Sequence, residues 1–266
     1  MKLVVKKTGR RTSAGKVLAI LCWPLLLSAP AGAQDFPADS SRQEALDFIR
    51  TAGTRLAPVY APLAEQIVGE FGLAGSKGTG IDLGSGPGSL VIELALRTPG
   101  MHWINADINP HFFPHFYEQA AKAGVRQRVE AVAADAQDLP FPSDYADIVV
   151  SRGSFQLWGD RQKAFAEVYR VLKPGGRAFI GRGFPENLPV ETARRIREQT
   201  GGGPVYDIDR TAAMLRGIML ALKIKDYRVR LPRPPGSEGV NYGIWLEFGK
   251  PPAGGRAGAV RWVDQV

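Results

Sequence analysis

Three glycines and two carboxylates, Asp107 and Asp135, are spaced so that they could act together. Gly84, Gly86 and Gly88 alternate along the stretch from Ile81 to Leu90, with Ser85 and Pro87 between them and Asp82 just ahead. Glycine accepts positive φ and lets a ligand approach the backbone with no Cβ in the way. A helix opening after such a turn offers unpaired N–H groups and the positive end of its dipole, which suits a polar, anionic or hydroxyl-rich group. Asp107, Asp135 and Ser151 each close a later apolar run. One further cluster carries chemical side chains: His111 and His115 among Phe112, Phe113, Phe116 and Tyr117. Two histidines four apart on a helix could hold a metal or act as a base, but no cysteine and no third ligand stand near them. They read as surface or flanking residues, and no metal site is expected.

The elements that must position these residues follow from hydrophobic periodicity. Residues 80–83 form a short apolar strand and residues 90–96 a helix. Residues 101–106, 129–133, 145–151 and 177–181 read as four more strands. Helices are expected from residue 43, over 63–71, after Asn109-Pro110 with a delay imposed by Pro114, and over 161–172, 190–199 and 209–222. Lys173-Pro-Gly-Gly176 reads as a helix-stop turn. Residues 227–231 and 242–248 alternate in the strand manner and could pair antiparallel. Strands alternating with helices predict an α/β fold with a doubly wound, mostly parallel sheet and an antiparallel hairpin at its C-terminal edge. Ligands bind such sheets at the carboxyl ends of the strands, where Asp107, Asp135 and Ser151 fall.

Composition narrows the function. The formal charge is +8, from 34 basic and 26 acidic residues, yet six of the basic ones lie in residues 1–33 with no acid among them. The remainder holds 28 basic against 26 acidic residues, so no concentrated basic footprint is left and nucleic-acid binding is not expected. The 44% apolar and 23% charged content is that of a globular chain.

The ordered set GIDLGSGPG, ADIN, ADAQDLPF, YADIVVS and VLKPGG, spread over about residues 58–183, resembles the Rossmann-type (class I) S-adenosylmethionine-dependent methyltransferases. The branch it is most similar to is the small-molecule one that includes the enzymes of ubiquinone and menaquinone biosynthesis. The resemblance implies a seven-stranded sheet, S-adenosyl-L-methionine as cofactor, and methyl transfer by direct displacement to a small-molecule acceptor. It also implies roles for single residues. Asp82 and the backbone from Gly84 through Ser85, Gly86, Pro87 and Gly88 would hold the methionine moiety, with the turn beneath the ribose. Asp107 would accept both ribose hydroxyls. Asp135 would accept from the adenine amino group with the Ala136 N–H nearby, Ile108 and Leu139 would flank the ring, and Ser151 would lie near the methionine end. The acceptor pocket would draw on Tyr60, Arg152, Ser154, Phe155, Trp158, Arg182, Phe184 and Tyr206, and no general base is nominated. Ser151 to Ser154 stand where amide- and adenine-nitrogen methylating relatives carry N-P-P-[YF]. A nicotinamide or flavin dinucleotide site competes, since Asp107 would serve it too. Its third glycine would fall at Ser89, and it has no use for Asp135.

Residues 1–33 read as a signal-peptide-like segment: a basic start, an apolar run over 17–27 too short for a comfortable span, and Ala31-Gly-Ala33 at a cleavage position. Residues 34–42 read as a linker, 43–250 as the methyltransferase domain with its cofactor-binding core at 78–183, and 251–266 as a flexible tail. Cys22, the one cysteine, lies in the apolar run, so no disulfide framework is available to a cleaved chain. Export, to a periplasmic or extracellular space, conflicts with a cofactor made and used inside cells, which would favour the cytoplasm. The conflict defines a second hypothesis, an exported non-catalytic binding module on a methyltransferase scaffold. With the segment cleaved, no stable membrane span is expected, and oligomeric state is not legible.

Overall fold

A computed structural model describes residues 38–199 and 207–254. Its seven-stranded sheet comprises β1 (Gly78–Leu83), β2 (Met101–Asp107), β3 (Val129–Ala133), β4 (Ala146–Arg152), β5 (Leu172–Gly183), β6 (Tyr227–Arg230) and β7 (Gly243–Gly249). They run in the order β3-β2-β1-β4-β5-β7-β6. The first five are parallel, and β7 pairs antiparallel with both β5 and β6. The order reverses between β1 and β4, which puts the crevice of a doubly wound sheet at their carboxyl ends.

The helices are α1 (Ala38–Gly53), α2 (Ala57–Glu70), α3 (Ser89–Arg97), α4 (Phe113–Lys122), α5 (Arg161–Val171), α6 (Val190–Gln199) and α7 (Ile208–Ala221). Apolar side chains at helical spacing bury one stripe of each. On one face of the sheet, Leu63 and Ile67 of α2, Leu90, Val91 and Leu94 of α3 and Phe116 of α4 pack on Trp103, Ile148, Val150, Phe179 and Trp245. On the other, Phe165 and Val168 of α5 and Leu215 and Met219 of α7 pack on Ile81, Leu83, Ile104, Val149, Ile180 and Leu246. Alternation along each strand therefore assigns even-numbered residues of β1 and β4 to the α2 face, a parity that matters below.

Several expectations need correction. α1 begins at Ala38, inside the stretch read as a linker. α2 begins at Ala57, six residues before Leu63: Pro58 sits in its first turn, where a missing N–H costs nothing, and Pro62 is tolerated inside it. Lys173 to Gly176 form no separate stop. β5 starts at Leu172, immediately after α5, and runs through them, with Gly175 at φ 84° and a register shift against β4 between Ala146 and Ile148. α7 is capped by Asp207, whose side chain accepts from the Arg210 N–H, rather than opened at Asp209. Pro114 delays α4 as expected, and a 3-10 turn over Pro110–Phe112 fills the gap. Residues 251–254 are non-helical and the rest of the tail, like the signal-like segment, lies outside the described residues. Among the described residues no helix is long and apolar enough to cross a membrane.

Candidate functional site at the reversal of the sheet

The glycine turn is built by its conformation and then laced to β2. Gly84, Gly86 and Gly88 take φ of 67°, 57° and 74°, where a side chain is strained. A Cβ at Gly88 would fall 2.2 Å from Phe116, and one at Gly84 would fall 2.4 Å from the Ser154 Cβ, so the turn has no room to rise. The Gly84 N–H donates to the Ala106 carbonyl at 2.7 Å. Asn105, buried in β2, accepts from the Ser85 hydroxyl and donates from Nδ2 to the Gly86 carbonyl at 3.3 Å. Asp107 ends β2 with both oxygens engaged: Oδ2 accepts from the Gly86 N–H at 2.7 Å and Oδ1 from the Asn109 N–H at 2.9 Å. Burial pushes its carboxyl above the usual range, and those two N–H groups counter the push. Each oxygen keeps a further lone pair for a ligand hydroxyl.

A second set of polar groups lies across the α2 face of the sheet. Asp82 pairs in register with Asn105 on one side and Val150 on the other, so Arg152, two residues beyond Val150, shares that face. Tyr60 of α2 closes over it, with the Arg152 guanidinium carbon 5.8 Å from its ring centre. Asp82 is 2% exposed, and its Oδ1 is buried without a hydrogen-bond partner. Burial, reinforced by Asp107 and opposed by Arg152, holds the Asp82 carboxyl well above the ordinary range. Arg152 donates from Nε to the Gly183 carbonyl at 3.1 Å, while its terminal nitrogens donate to no described residue. Burial depresses its pKa, partly offset by Tyr60 and Asp82. Tyr60 is pushed up by burial, and its hydroxyl likewise donates to no described residue.

The remaining predicted residues divide. Ser151 and Ser154 come together at the end of β4 with hydroxyls 2.7 Å apart, and Ser154 donates to the Leu83 carbonyl at 3.0 Å, tying this loop to β1. Asp135 is half-buried, its Oδ1 accepting from the Gln137 N–H at 2.9 Å. Ala136 and Leu139 are buried beside it, and Ile108 is exposed directly after β2. Arg182 is half-buried at the end of β5 and close enough to Arg152 to destabilise its charge. Phe155, Trp158 and Phe184 are buried. Phe155 and Trp158 belong to the core under α5, where Trp158 meets Phe165 edge-on at 5.3 Å, and Phe184 packs with Val59, Ile196 and Tyr242. Tyr206 lies outside the described residues. His111 sits in the 3-10 turn and His115 in α4, so the pair does not share a helix.

Sequence reasoning missed three contributors. Asn105 was signalled by a polar residue inside an apolar strand. Asn109 was read only as a cap, yet its Nδ2 also holds the Ser41 carbonyl of α1 at 2.8 Å. Phe48 of α1 lies over the turn, 3.0 Å from where a Gly86 Cβ would stand and edge-on to Phe112 at 6.1 Å. α1 therefore covers the glycine turn, which no periodicity could have shown.

Comparison with known proteins agrees with this geometry. A family profile described as "Methyltransferase domain" matches residues 81–180. The fold, and the sequence over the matched residues, are similar to those of Rossmann-type, class I S-adenosylmethionine-dependent methyltransferases. Within that class the chain is 38% identical over 109 residues to the chloroplastic 2-methyl-6-phytyl-1,4-hydroquinone methyltransferase of Arabidopsis thaliana, covering 40% of this chain and 30% of that one. It is 37% identical over 100 residues to the demethylmenaquinone methyltransferase of Thermus thermophilus, covering 38% of this chain and 44% of the relative. The matches thus span less than half the length of these curated relatives. A solved structure from Methanococcus maripaludis, assigned as an S-adenosyl-L-methionine-dependent methyltransferase, is 29% identical with a TM-score of 0.70 over 79% of this chain and 93% of its own.

The residues present fit that cofactor. The orphaned Asp82 oxygen requires a proton or a cationic donor, and the methionine ammonium is one. The open lone pairs of Asp107, held at the lip of the glycine turn, suit vicinal hydroxyls.

Proposed function

We propose that this chain transfers a methyl group from S-adenosylmethionine, by direct displacement, to a small-molecule acceptor of the quinol type on which its named relatives act. The observation that supports it best is the meeting of a cramped glycine turn, a doubly held Asp107 and an unpartnered Asp82 at the reversal point of the sheet. Bound there, the cofactor supplies an electrophilic methyl on a sulfonium. The protein's part is alignment: Asp107 and the turn fix the nucleoside, and the Ser151–Ser154 loop at the end of β4 borders the space where an acceptor must approach. Orientation of this kind supplies much of the rate of such a displacement. A general base is needed only where the acceptor starts protonated.

Titration calorimetry with S-adenosylhomocysteine tests the reading. Wild type is expected to bind, and Asp107→Ala to lose at least about 10-fold in affinity, the scale of hydrogen bonds to a charged group. No binding by wild type, or undiminished binding by the variant, removes the methyltransferase reading. Transfer of labelled methyl to a quinol separates an enzyme from a binding module. The export signal read in residues 1–33 is part of the same proposal. Sequencing the N-terminus of the native protein decides it: a start at residue 34 outside the cytoplasm supports export, and a start at Met1 in the soluble cytoplasmic fraction overturns it.

A further inference from the structure

We infer that Gln137 is a positioning residue with two tasks: it holds Asp135 in place to select an amino-bearing base, and it couples the arrival of that base to the loop after β4, where the methyl acceptor must approach. This role rests on the methyltransferase reading and adds to it a residue to which the resemblance gives no part.

The side chain of Gln137, half-buried in the stretch after β3, is a bridge with a different partner at each end. Its Nε2 donates to the Asp135 carboxylate, at 3.2 Å to Oδ1 and 3.4 Å to Oδ2, and its backbone N–H donates to Oδ1 at 2.9 Å. Its Oε1 accepts from the Asp160 N–H at 2.6 Å. The partners fix which way the amide lies, because a carboxylate needs a donor and an N–H needs an acceptor; a flipped amide would answer neither. Glutamate lacks the donor and asparagine is one methylene shorter. Gly159 leaves the bridge room, since a Cβ there would stand 3.2 Å from Gln137 Oε1.

Two consequences follow from the two ends. Oδ1 of Asp135 takes two donors from Gln137 and Oδ2 only the longest contact, so Oδ2 keeps its lone pairs for an amino group and repels a carbonyl oxygen in the same place. The site thereby favours adenine over a base with a carbonyl there. The loop after β4 is fixed at its start, where the Gly153 N–H donates to the Gly181 carbonyl at 2.7 Å and Ser154 to the Leu83 carbonyl at 3.0 Å. At its end Asp160 caps α5, accepting from the Lys163 N–H at 3.0 Å, and the Gln137 bond meets it there. A base that fixes Asp135 also fixes Gln137 and the Asp160 N–H, which lowers the cost of ordering the loop for an acceptor. Docking of residues 135–141 on α5 has its own strap. The Leu139 N–H donates to Glu167 at 2.9 Å, and Arg170 donates to the Leu139 and Phe141 carbonyls at 3.1 and 2.8 Å.

Calorimetry on the full chain tests this with S-adenosylhomocysteine and S-inosylhomocysteine, in which a carbonyl replaces the amino group of the base. Wild type is expected to prefer the adenosyl ligand by at least about 10-fold, the scale of a hydrogen bond to a charged group. Gln137→Met, similar in length and without either hydrogen bond, should weaken the adenosyl ligand until the preference is within about 3-fold, and leave the inosyl ligand within about 2-fold. Hydrogen exchange reads the coupling: saturating S-adenosylhomocysteine should slow the Asp160 amide at least about 3-fold in wild type and leave it unchanged in Gln137→Met. A variant that keeps the preference, or that weakens both ligands equally as a purely structural change would, overturns the inference. Two results on wild type overturn it without any variant and leave the methyltransferase reading standing: equal binding of the two nucleosides, or an Asp160 amide that bound ligand does not slow. Wild type that binds neither nucleoside removes the underlying reading, and the inference falls with it.

Discussion

Asp82 and Glu247 are each 2% exposed, both on strands of one sheet and both on its α2 face, yet they are treated in opposite ways. Glu247 of β7 is surrounded by cations. Both of its oxygens accept from Arg228 Nη2 at 2.8 Å, and Oε1 also accepts from Arg230 Nη1 at 2.6 Å. Arg230 reaches on to Glu70 at the end of α2, at 2.7 Å, and to Glu186 after β5. Burial works against the Arg230 charge, but its bonds to Glu70 and Glu247 outweigh that and raise its pKa. Asp82, buried as deeply, is offered no donor for Oδ1. A buried carboxylate saturated by the chain is holding structure together, here β6, β7, α2 and the loop after β5. One left unsaturated marks where something outside the chain must complete it. Burial alone does not separate the two; the count of partners does.

The largest effect expected from this contrast is at the saturated residue. Glu247→Gln strips the anion from two arginines and should lower folding stability by about 3–5 kcal/mol, the cost of breaking a buried pair by removing one partner. The loss should show as a lower denaturant midpoint, with S-adenosylhomocysteine affinity unchanged in the molecules that remain folded. A variant as stable as wild type would mean the network is as dispensable as an exposed ion pair.

Asp82→Asn should do the reverse. The folded-state pKa of Asp82 is raised above its unfolded value, so the native state holds the proton more tightly than the unfolded chain does. Below the unfolded pKa of about 3.9 both states are protonated and there is no penalty. As pH rises from there through the raised folded pKa, the unfolded state gains by ionising first and the ligand-free protein loses stability. Replacing the carboxyl with an amide removes that slope, so Asp82→Asn should gain on the order of 1 kcal/mol at neutral pH in the absence of ligand. The same change should weaken S-adenosylhomocysteine by roughly 10-fold or more. Denaturant melts of both proteins at pH 5 and pH 8 check it. A variant less stable than wild type at pH 8 would mean that Asp82 is a structural residue of the Glu247 kind.

How far these roles could be read in advance depended on whether local pattern or tertiary contact decides them. The glycine stretch, the strand ends at Asp107 and Asp135, and the hairpin of β6 and β7 follow from spacing and turn chemistry, and the structure has them where expected. Asp82 was legible as a site residue only through the resemblance, and its missing partner was legible nowhere, since a run of apolar residues around one acid does not say what faces it. Glu247 went unremarked because Tyr242 to Phe248 alternates as a half-exposed strand does. In the fold β6 and α2 cover that edge, and Arg228 and Arg230, two apart on β6, share the face of Glu247. The burial of Phe155, Trp158 and Phe184 was not legible for a related reason. An aromatic residue just past a strand end suits a pocket wall or a core equally, and only the positions of α5 and α6 show what it packs against.

The smallest expected effect repeats the comparison with two tyrosines. The Tyr242 hydroxyl is buried and donates to the Leu188 carbonyl at 2.7 Å, so the bond is internal to the fold. The Tyr60 hydroxyl donates to no described residue, and its ring serves the Arg152 guanidinium instead. Tyr242→Phe leaves a carbonyl without its donor and should cost about 1 kcal/mol of stability, with ligand affinity unchanged. Tyr60→Phe keeps the ring, the stacking and the packing against Leu63 and Ala64, and should leave the melting midpoint of the free protein within about 1 °C, because no internal bond is lost. Its effect should appear only with ligand, as a loss of about 2- to 10-fold in S-adenosylhomocysteine affinity. The two variants differ from wild type by one oxygen each, at buried tyrosines, and are expected to change different observables. If Tyr60→Phe lowers stability and spares affinity, its hydroxyl belongs to the fold as that of Tyr242 does.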